Sequence, residues 1–149
     1  MNKINWKISM LWCSISYIIT FALCATHNIA ALLKMEPPPA TYKPGYFESL
    51  PFHPLYTIII WSLFAYLCYR KAKIDKIQWK TALTLGSSWS IFNIVFDLIA
   101  WVIIPHPFAL TFYEYYVKSQ PWITIAYIAI FVSPFIGMFF YNKSKTKEV

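Results

Sequence analysis

Charged residues and glycines are both scarce in this chain of 149 residues. Only 13% of the residues are charged, and the three glycines are Gly45, Gly86 and Gly137. Three isolated glycines cannot form a phosphate-binding loop or a GxSxG nucleophile elbow. The three cysteines form no CxxC motif or disulfide framework, and no HExxH zinc motif is present. We therefore predict neither a cofactor nor a metal.

Basic residues exceed acidic ones, which gives a net charge of +7. Such an excess can indicate nucleic acid as a partner when the basic residues form one patch. Here ten of the thirteen occupy three short stretches, and the remaining lysines lie beside glutamates. The three stretches contain Lys3 and Lys7; Arg70, Lys71, Lys73, Lys76 and Lys80; and Lys143, Lys145 and Lys147. We predict no binding of nucleic acid.

Apolar residues dominate the chain, at 58%, and the mean hydropathy is +0.48. Aromatic residues reach 20%, and many flank apolar runs, as they do at membrane interfaces. The basic stretches alternate with neutral loops, which is the positive-inside pattern of a chain with both termini in the cytoplasm. We predict an all-α integral membrane bundle of four helices, N-in and C-in, in the cytoplasmic membrane of a bacterium.

The predicted spans are about 8–33, 55–69, 81–104 and 121–141, within one transmembrane domain that covers residues 1–149. The first run is too long for the apolar core of a secretory signal, so we expect a retained span. The second is short, and the charge pattern supports it more than its length does. We expect the proline-rich segment 35–54 to be extended, without a long helix.

The second outer loop, 108–120, carries Phe108, Phe112, Tyr115 and Tyr116. Their spacing is typical of a short helix that lies in the membrane plane. We therefore predict one interfacial helix in this loop.

Small and polar residues recur at intervals of three and four in three of the spans, which indicates packed faces between helices. These faces predict an interior formed by spans one, three and four. Their members are Ser9, Cys13, Ser16, Thr20, Cys24, His27 and Ala31; Gly86, Ser90, Asn93, Asp97 and Ala100; and Ala126, Ala129, Ser133 and Gly137.

Asp97 is the residue in these faces that is most costly to bury in a membrane, at about 3 kcal/mol by insertion scales. It should therefore face the interior and have a partner. His27 lies about 10 Å and Asp97 about 7 Å outward from the middle of their spans at helical rise. We hypothesise that the two form a polar pair in the outer half of the bundle. The predicted ligand-binding residues are Asp97, Asn93, His27, Ser90, Trp101 and Thr20.

His53 and His106 each precede a proline at an outer helix boundary, and Glu114 lies in the second outer loop. We consider these three as outer-loop candidates for ligand binding. With His27, Asp97, Glu36 and Glu48 they also form the alternative of a metal constellation, since imidazole and carboxylate bind zinc and related ions. Their separation in sequence matches no metal motif, so we expect interfacial histidines.

Three functions agree with these residues. The first is a membrane protein that binds or helps to transport a small or lipophilic ligand or an ion, as a homo-oligomer or with a membrane partner protein. The second is an interaction protein without chemistry, such as a toxin-immunity protein or an accessory subunit. The third is an enzyme that acts on a lipid-like substrate through Asp97 and His27.

Overall fold

The structure of the chain is a computed structural model that describes residues 5–37, 39–72 and 76–146. Helices account for most of these residues, and no strand occurs in the described ranges. The predictions for Lys3, Pro38, Lys73 and Lys147 lie outside the described residues. The helices are α1 (Trp6–Leu32), α2 (Lys43–Ser49), α3 (His53–Ala72), α4 (Trp79–Asp97) and α5 (Trp122–Thr146).

Four helical stretches are long and apolar enough to cross a membrane: Trp6–Leu32, Lys43–Ala72, Trp79–Ile103 and Trp122–Thr146. Each has at least 25 residues, whereas about 20 are enough to cross the hydrocarbon core. Large apolar side chains such as Ile18 and Ile91 point outward and are both 63% exposed. The chain therefore has the composition and helix lengths of a multi-pass membrane protein.

The prediction of an extended segment at 35–54 is wrong for its second half. Residues 43–49 form α2, and a 3₁₀ turn at Leu50–Phe52 leads from it directly into α3. Pro44, Pro51 and Pro54 all lie in the first turn of a helical piece, where the missing N–H costs no hydrogen bond. The second long helical stretch is therefore longer than the span predicted at 55–69.

The ends of the other helices follow from local signals. The side chain of Asn5 accepts a hydrogen bond of 3.2 Å from the backbone N–H of Ile8 and so caps α1. After Asp97, α4 continues as a wider π-helical turn, Leu98–Ile103. Ile104 is extended, as a residue before a proline usually is.

One half of the bundle is filled with side chains. This half is the basic end, where Arg70, Lys80 and Lys143 lie. Trp61 and Trp89 meet edge to face there, with ring centroids 5.4 Å apart. The core contains Cys13, Trp61, Ala65, Tyr69, Ile77, Leu85, Trp89, Ile130 and Tyr141.

Helices α3 and α5 approach closely at Gly137. A Cβ atom at this position would lie only 2.8 Å from the Cβ atom of Ala65, so no larger residue fits without a shift of the helices. Small residues allow membrane helices to pack at this separation. Three of the four residues of the small-residue face predicted on the fourth span, Ala129, Ser133 and Gly137, are buried. Gly137 packs on α3, which the prediction left out of the interior.

The opposite end of the bundle, the loop end, carries the connections 33–42 and 104–121. Tyr113–Lys118 forms a short π-helical turn within the predicted interfacial segment. Phe112 and Tyr113 are exposed, whereas Tyr115 is buried against Ile123 and Tyr46. Through Tyr115, this turn packs on the loop end of the bundle.

Candidate functional site

A cavity of about 130 Å³ lies in the loop end of the bundle. All four long helical stretches contribute to it, together with Phe108, Leu110 and Tyr115 of the second loop. Ten of its lining side chains are aromatic, and Asp97 is its one acidic residue among the described residues. Apolar walls with a few placed polar groups are typical of a site for a small molecule.

The Asp97 cluster, which consists of Tyr17, Asp97, Trp101 and Tyr127, forms one polar end of the cavity. Asp97 is only 7% exposed. Its Oδ1 atom accepts a hydrogen bond of 2.8 Å from the Tyr17 hydroxyl, and its Oδ2 atom accepts one of 2.9 Å from Tyr127. Both carboxyl oxygens are thus engaged by neutral donors from other helices.

The direction of the Tyr17 hydrogen bond follows from its second partner. The indole N–H of Trp101 donates to the Tyr17 hydroxyl oxygen at 2.8 Å. An indole nitrogen can only donate, so the Tyr17 proton points to Asp97. The π-helical turn after Asp97 carries Trp101, and such turns are frequent at functional sites.

The Asn28 cluster, which consists of Asn28, Tyr42, Ser49 and His53, forms the other polar end. The Asn28 amide nitrogen donates to the Tyr42 hydroxyl, and its oxygen accepts from Ser49. The same oxygen lies 3.1 Å from Nε2 of His53, which therefore donates. Asn28, Tyr42 and His53 line the cavity.

The two clusters are separated along α1. Tyr17 and Asn28 are eleven residues apart, which is about three turns and about 16 Å of helical rise. They therefore share one face of α1, and the wall between them includes Phe21, Cys24 and Ala25. The cavity is thus polar at both ends and mainly apolar in between.

Two buried polar atoms belong to residues of this wall. Thr20 Oγ1 and Trp61 Nε1 have no hydrogen-bond partner within the described residues. Buried polar groups are normally satisfied, so unpaired ones call for an explanation. Since both residues line the cavity, these two groups can form hydrogen bonds with a ligand or with water.

Four of the six predicted ligand-binding residues line the cavity, namely Asp97, Asn93, Trp101 and Thr20. Ser90 does not line it, and its hydroxyl lies 3.5 Å from the backbone oxygen of Tyr127. Within the cavity wall, Asn93 donates to the backbone oxygen of Trp89 at 2.8 Å. The structure therefore makes Asn93 part of the wall and Ser90 part of the contact between α4 and α5.

The hypothesised pair of His27 and Asp97 is not formed. Nδ1 of His27 lies 3.0 Å from the Tyr56 hydroxyl, and its ring packs on Phe52 at 4.9 Å. The depth estimate ignored the direction of the side chain around the helix, which changes by about 100° per residue. The face of α1 with Tyr17 and Asn28 points into the cavity, whereas His27 is turned towards α3.

The outer-loop candidates separate as well. His53 joins the Asn28 cluster, whereas Nε2 of His106 lies 2.7 Å from the backbone oxygen of Ala100. Glu114 forms an ion pair of 2.7 Å with Lys43. Within the described part of the chain, no three histidine, cysteine or acidic side chains come together as a metal site requires.

Glu114 is also held by the backbone. The hydrogen bond from Lys43, and next the one from the Thr111 N–H, lowers the pKa of Glu114 to about 2. The Glu114 N–H in turn donates to the Thr111 hydroxyl at 3.1 Å. This reciprocal arrangement is a capping box, and the spacing of Thr111 and Glu114 indicates it in the sequence.

Sequence reasoning missed Tyr17, Tyr127, Asn28 and Tyr42. Interfacial belts place tyrosines at the ends of spans, so a tyrosine in the middle of an apolar helix is a signal for an interior role. Tyr17 has this position in α1. Asn28 carried a similar signal, because an amide within an apolar run needs partners.

Comparison with known proteins gives no match: no protein-family model, no curated protein and no solved structure matches this chain. Function is therefore inferred from the cavity and its two clusters.

Proposed function

We propose that this chain is a multi-pass membrane protein that binds a small, mainly apolar molecule in the cavity between its helices. The observation that carries the proposal is a buried carboxylate, Asp97, within an aromatic cavity in the membrane-spanning part of the chain. An ionisable group at this depth is costly, and membrane proteins use such groups for binding and coupling.

The proposed orientation puts the basic end in the cytoplasm and the loop end outside. The cavity then lies in the outer half of the membrane, where α2 and the second loop form part of its wall through Tyr46, Phe108 and Leu110. The volume of about 130 Å³ is close to that of a cavity that holds benzene, about 150 Å³. The site therefore suits a ligand built on a single ring, with a polar group for one of the two clusters.

A role in transport extends this proposal. The cavity within a single chain is polar at its two ends and mainly apolar in between. A pathway would therefore form in a homo-oligomer or with a membrane partner protein. We do not propose acid–base catalysis, because the structure separates His27 from Asp97.

A change of cavity volume tests the proposal. Ala25 lines the cavity, whereas Ala22 lies one turn earlier on the exposed side of α1. In Ala25→Phe, we expect the larger ring to fill part of the cavity and to lower the affinity for phenylpropanol at least tenfold, which is about 1.4 kcal/mol. Equilibrium dialysis with labelled phenylpropanol and the protein in an uncharged detergent measures the affinity.

Ala22→Phe is the matched control, since it adds the same ring to the same helix outside the cavity. We expect its affinity for phenylpropanol to equal that of the wild type. Equal affinities for both variants and the wild type would place the probe on the outer surface and contradict the proposal.

Recognition of a partner protein is a second candidate, and the exposed aromatic side chains of the second loop favour it. Phe112 and Tyr113 are 60% and 65% exposed, and aromatic residues often anchor protein interfaces. This function would depend on the loop surface and tolerate Asp97→Asn, whereas ligand binding in the cavity would depend on Asp97.

A further inference from the structure

We propose that the ligand of the cavity is an organic cation, an apolar molecule with a protonated amine that pairs with Asp97. This inference rests on the proposed function, because it names the chemical class of the molecule that the same cavity binds. It is carried by the charge, the neutral hydrogen-bond donors and the aromatic surroundings of Asp97.

When Asp97 is ionised, no lysine or arginine among the described residues that line the cavity balances its charge, and His53 belongs to the other polar cluster. The hydroxyls of Tyr17 and Tyr127, which donate to the carboxyl oxygens, are neutral. A buried carboxylate without a cation is unfavourable, and a ligand that brings a positive charge removes most of this cost.

The donors around Asp97 are neutral. Tyr17 and Tyr127 donate to its two oxygens, and Tyr115 and Trp101 also act on the carboxyl group as hydrogen-bond donors. An ammonium group donates up to three hydrogen bonds and carries a charge, so it competes with these neutral donors for the carboxyl oxygens. The hydrogen bond from Trp101 fixes the Tyr17 hydroxyl as a donor to Asp97, so Tyr17 offers the ligand no free proton.

Aromatic rings surround this carboxyl group. Phe21 packs on Trp101 with ring centroids 5.3 Å apart, and Tyr17 and Tyr127 bond Asp97 directly. The faces of such rings attract cations, and more strongly so where water is excluded. A carboxylate among tyrosine and tryptophan rings therefore favours an ammonium group over a hydroxyl or a carboxylate.

A pair of probes with the same skeleton tests the charge. Phenylpropylamine and phenylpropanol differ only in the terminal ammonium and hydroxyl groups, and phenylpropionate carries the opposite charge. For the full-length wild type at pH 7 in an uncharged detergent, we expect the amine to bind at least tenfold more tightly than the alcohol, and phenylpropionate to bind more weakly than either. Equilibrium dialysis measures all three dissociation constants.

Two variants identify the group that recognises the charge. We expect Asp97→Asn to remove the preference for the amine, so that its dissociation constants for the amine and the alcohol lie within about threefold of each other. Glu48→Gln, which removes an exposed acid outside the cavity, is the matched control and should keep the preference of the wild type. Gel filtration of each variant reports folding.

The outcomes separate this inference from the proposed function. Equal affinities of the wild type for the amine and the alcohol would overturn the organic cation and leave the binding cavity intact. An amine preference that persists in folded Asp97→Asn would also overturn it. Failure of the wild type to bind either probe would overturn both proposals.

Discussion

Asn28 connects α1 to α2 and α3 at the loop end, a role that no pattern in the sequence predicted. Its amide joins α1 to Tyr42, to Ser49 at the end of α2 and to His53 at the start of α3. The side chain is 1% exposed, so none of these groups can turn to water without movement of the helices. One amide therefore fixes where the second helical stretch meets α1.

Asn28→Ala should destabilise the protein by about 1–3 kcal/mol, since it leaves the buried Tyr42 hydroxyl without its partner. Unfolding by a denaturing detergent in mixed micelles, followed by circular dichroism, measures the change. Thr26→Ala is the control, because Thr26 is exposed and bonds only the Ala22 carbonyl of its own helix. We expect a change within about 0.5 kcal/mol for it. Equal effects of the two substitutions would contradict the role of Asn28.

At the scale of elements, the ion pair of Lys43 and Glu114 connects the start of α2 to the second loop. The Lys43 side chain is 42% exposed and that of Glu114 is 20% exposed, so solvent screens the pair. The capping box between Thr111 and Glu114 places the carboxylate at this position. The two elements that cover the cavity are thereby attached to each other.

This ion pair makes stability depend on pH in the acid range. The pKa of Glu114 is lowered from its ordinary 4.5 to about 2, so its contribution is fully present above about pH 4.5 and is lost as the pH falls towards 2. Glu114→Gln should remove this loss, which we expect to be no more than about 1 kcal/mol for a screened pair. Thermal unfolding of the wild type and the variant from pH 6 to about 2.5 measures it.

Glu48→Gln provides the control for that experiment. Glu48 lies exposed on α2, so the substitution makes the same change of charge away from the ion pair. We expect its difference from the wild type to stay flat over the acid range. A difference that varies with pH as much as that of Glu114→Gln would contradict a specific role of the ion pair.

At the scale of the whole molecule, the alternation of basic and neutral connections predicts the orientation. Gln78 lies at the basic end before α4, and Tyr113 lies in the second loop. In intact cells, a membrane-impermeant maleimide should label Tyr113→Cys and leave Gln78→Cys unlabelled until the cells are opened. The wild type gives the background labelling of its own cysteines, of which Cys13 and Cys68 are buried and Cys24 is partly exposed. Labelling of Gln78→Cys in intact cells would contradict the predicted orientation and place the basic end outside.

The long apolar runs and their small-residue spacing predicted much of the architecture. Ser9, Cys13, Ser16 and Ala31 lie on one face of α1 and are all buried, as their spacing indicates. The extent of the second helical stretch was not predictable in this way. Pro44, Pro51 and Pro54 break helices in general, and only the helix starts around them show that each occupies a permissive position.

The sequence by itself determined that the chain has four apolar stretches and that Asp97 is the costly residue within them, because hydrophobicity and charge belong to residues. Only the tertiary structure decided which groups meet Asp97. It selected Tyr17 and Tyr127 and turned His27 towards Tyr56. The reason is geometric. Which side chains meet depends on how the helices are rotated and how they cross, and the residue pattern of a single helix does not determine either.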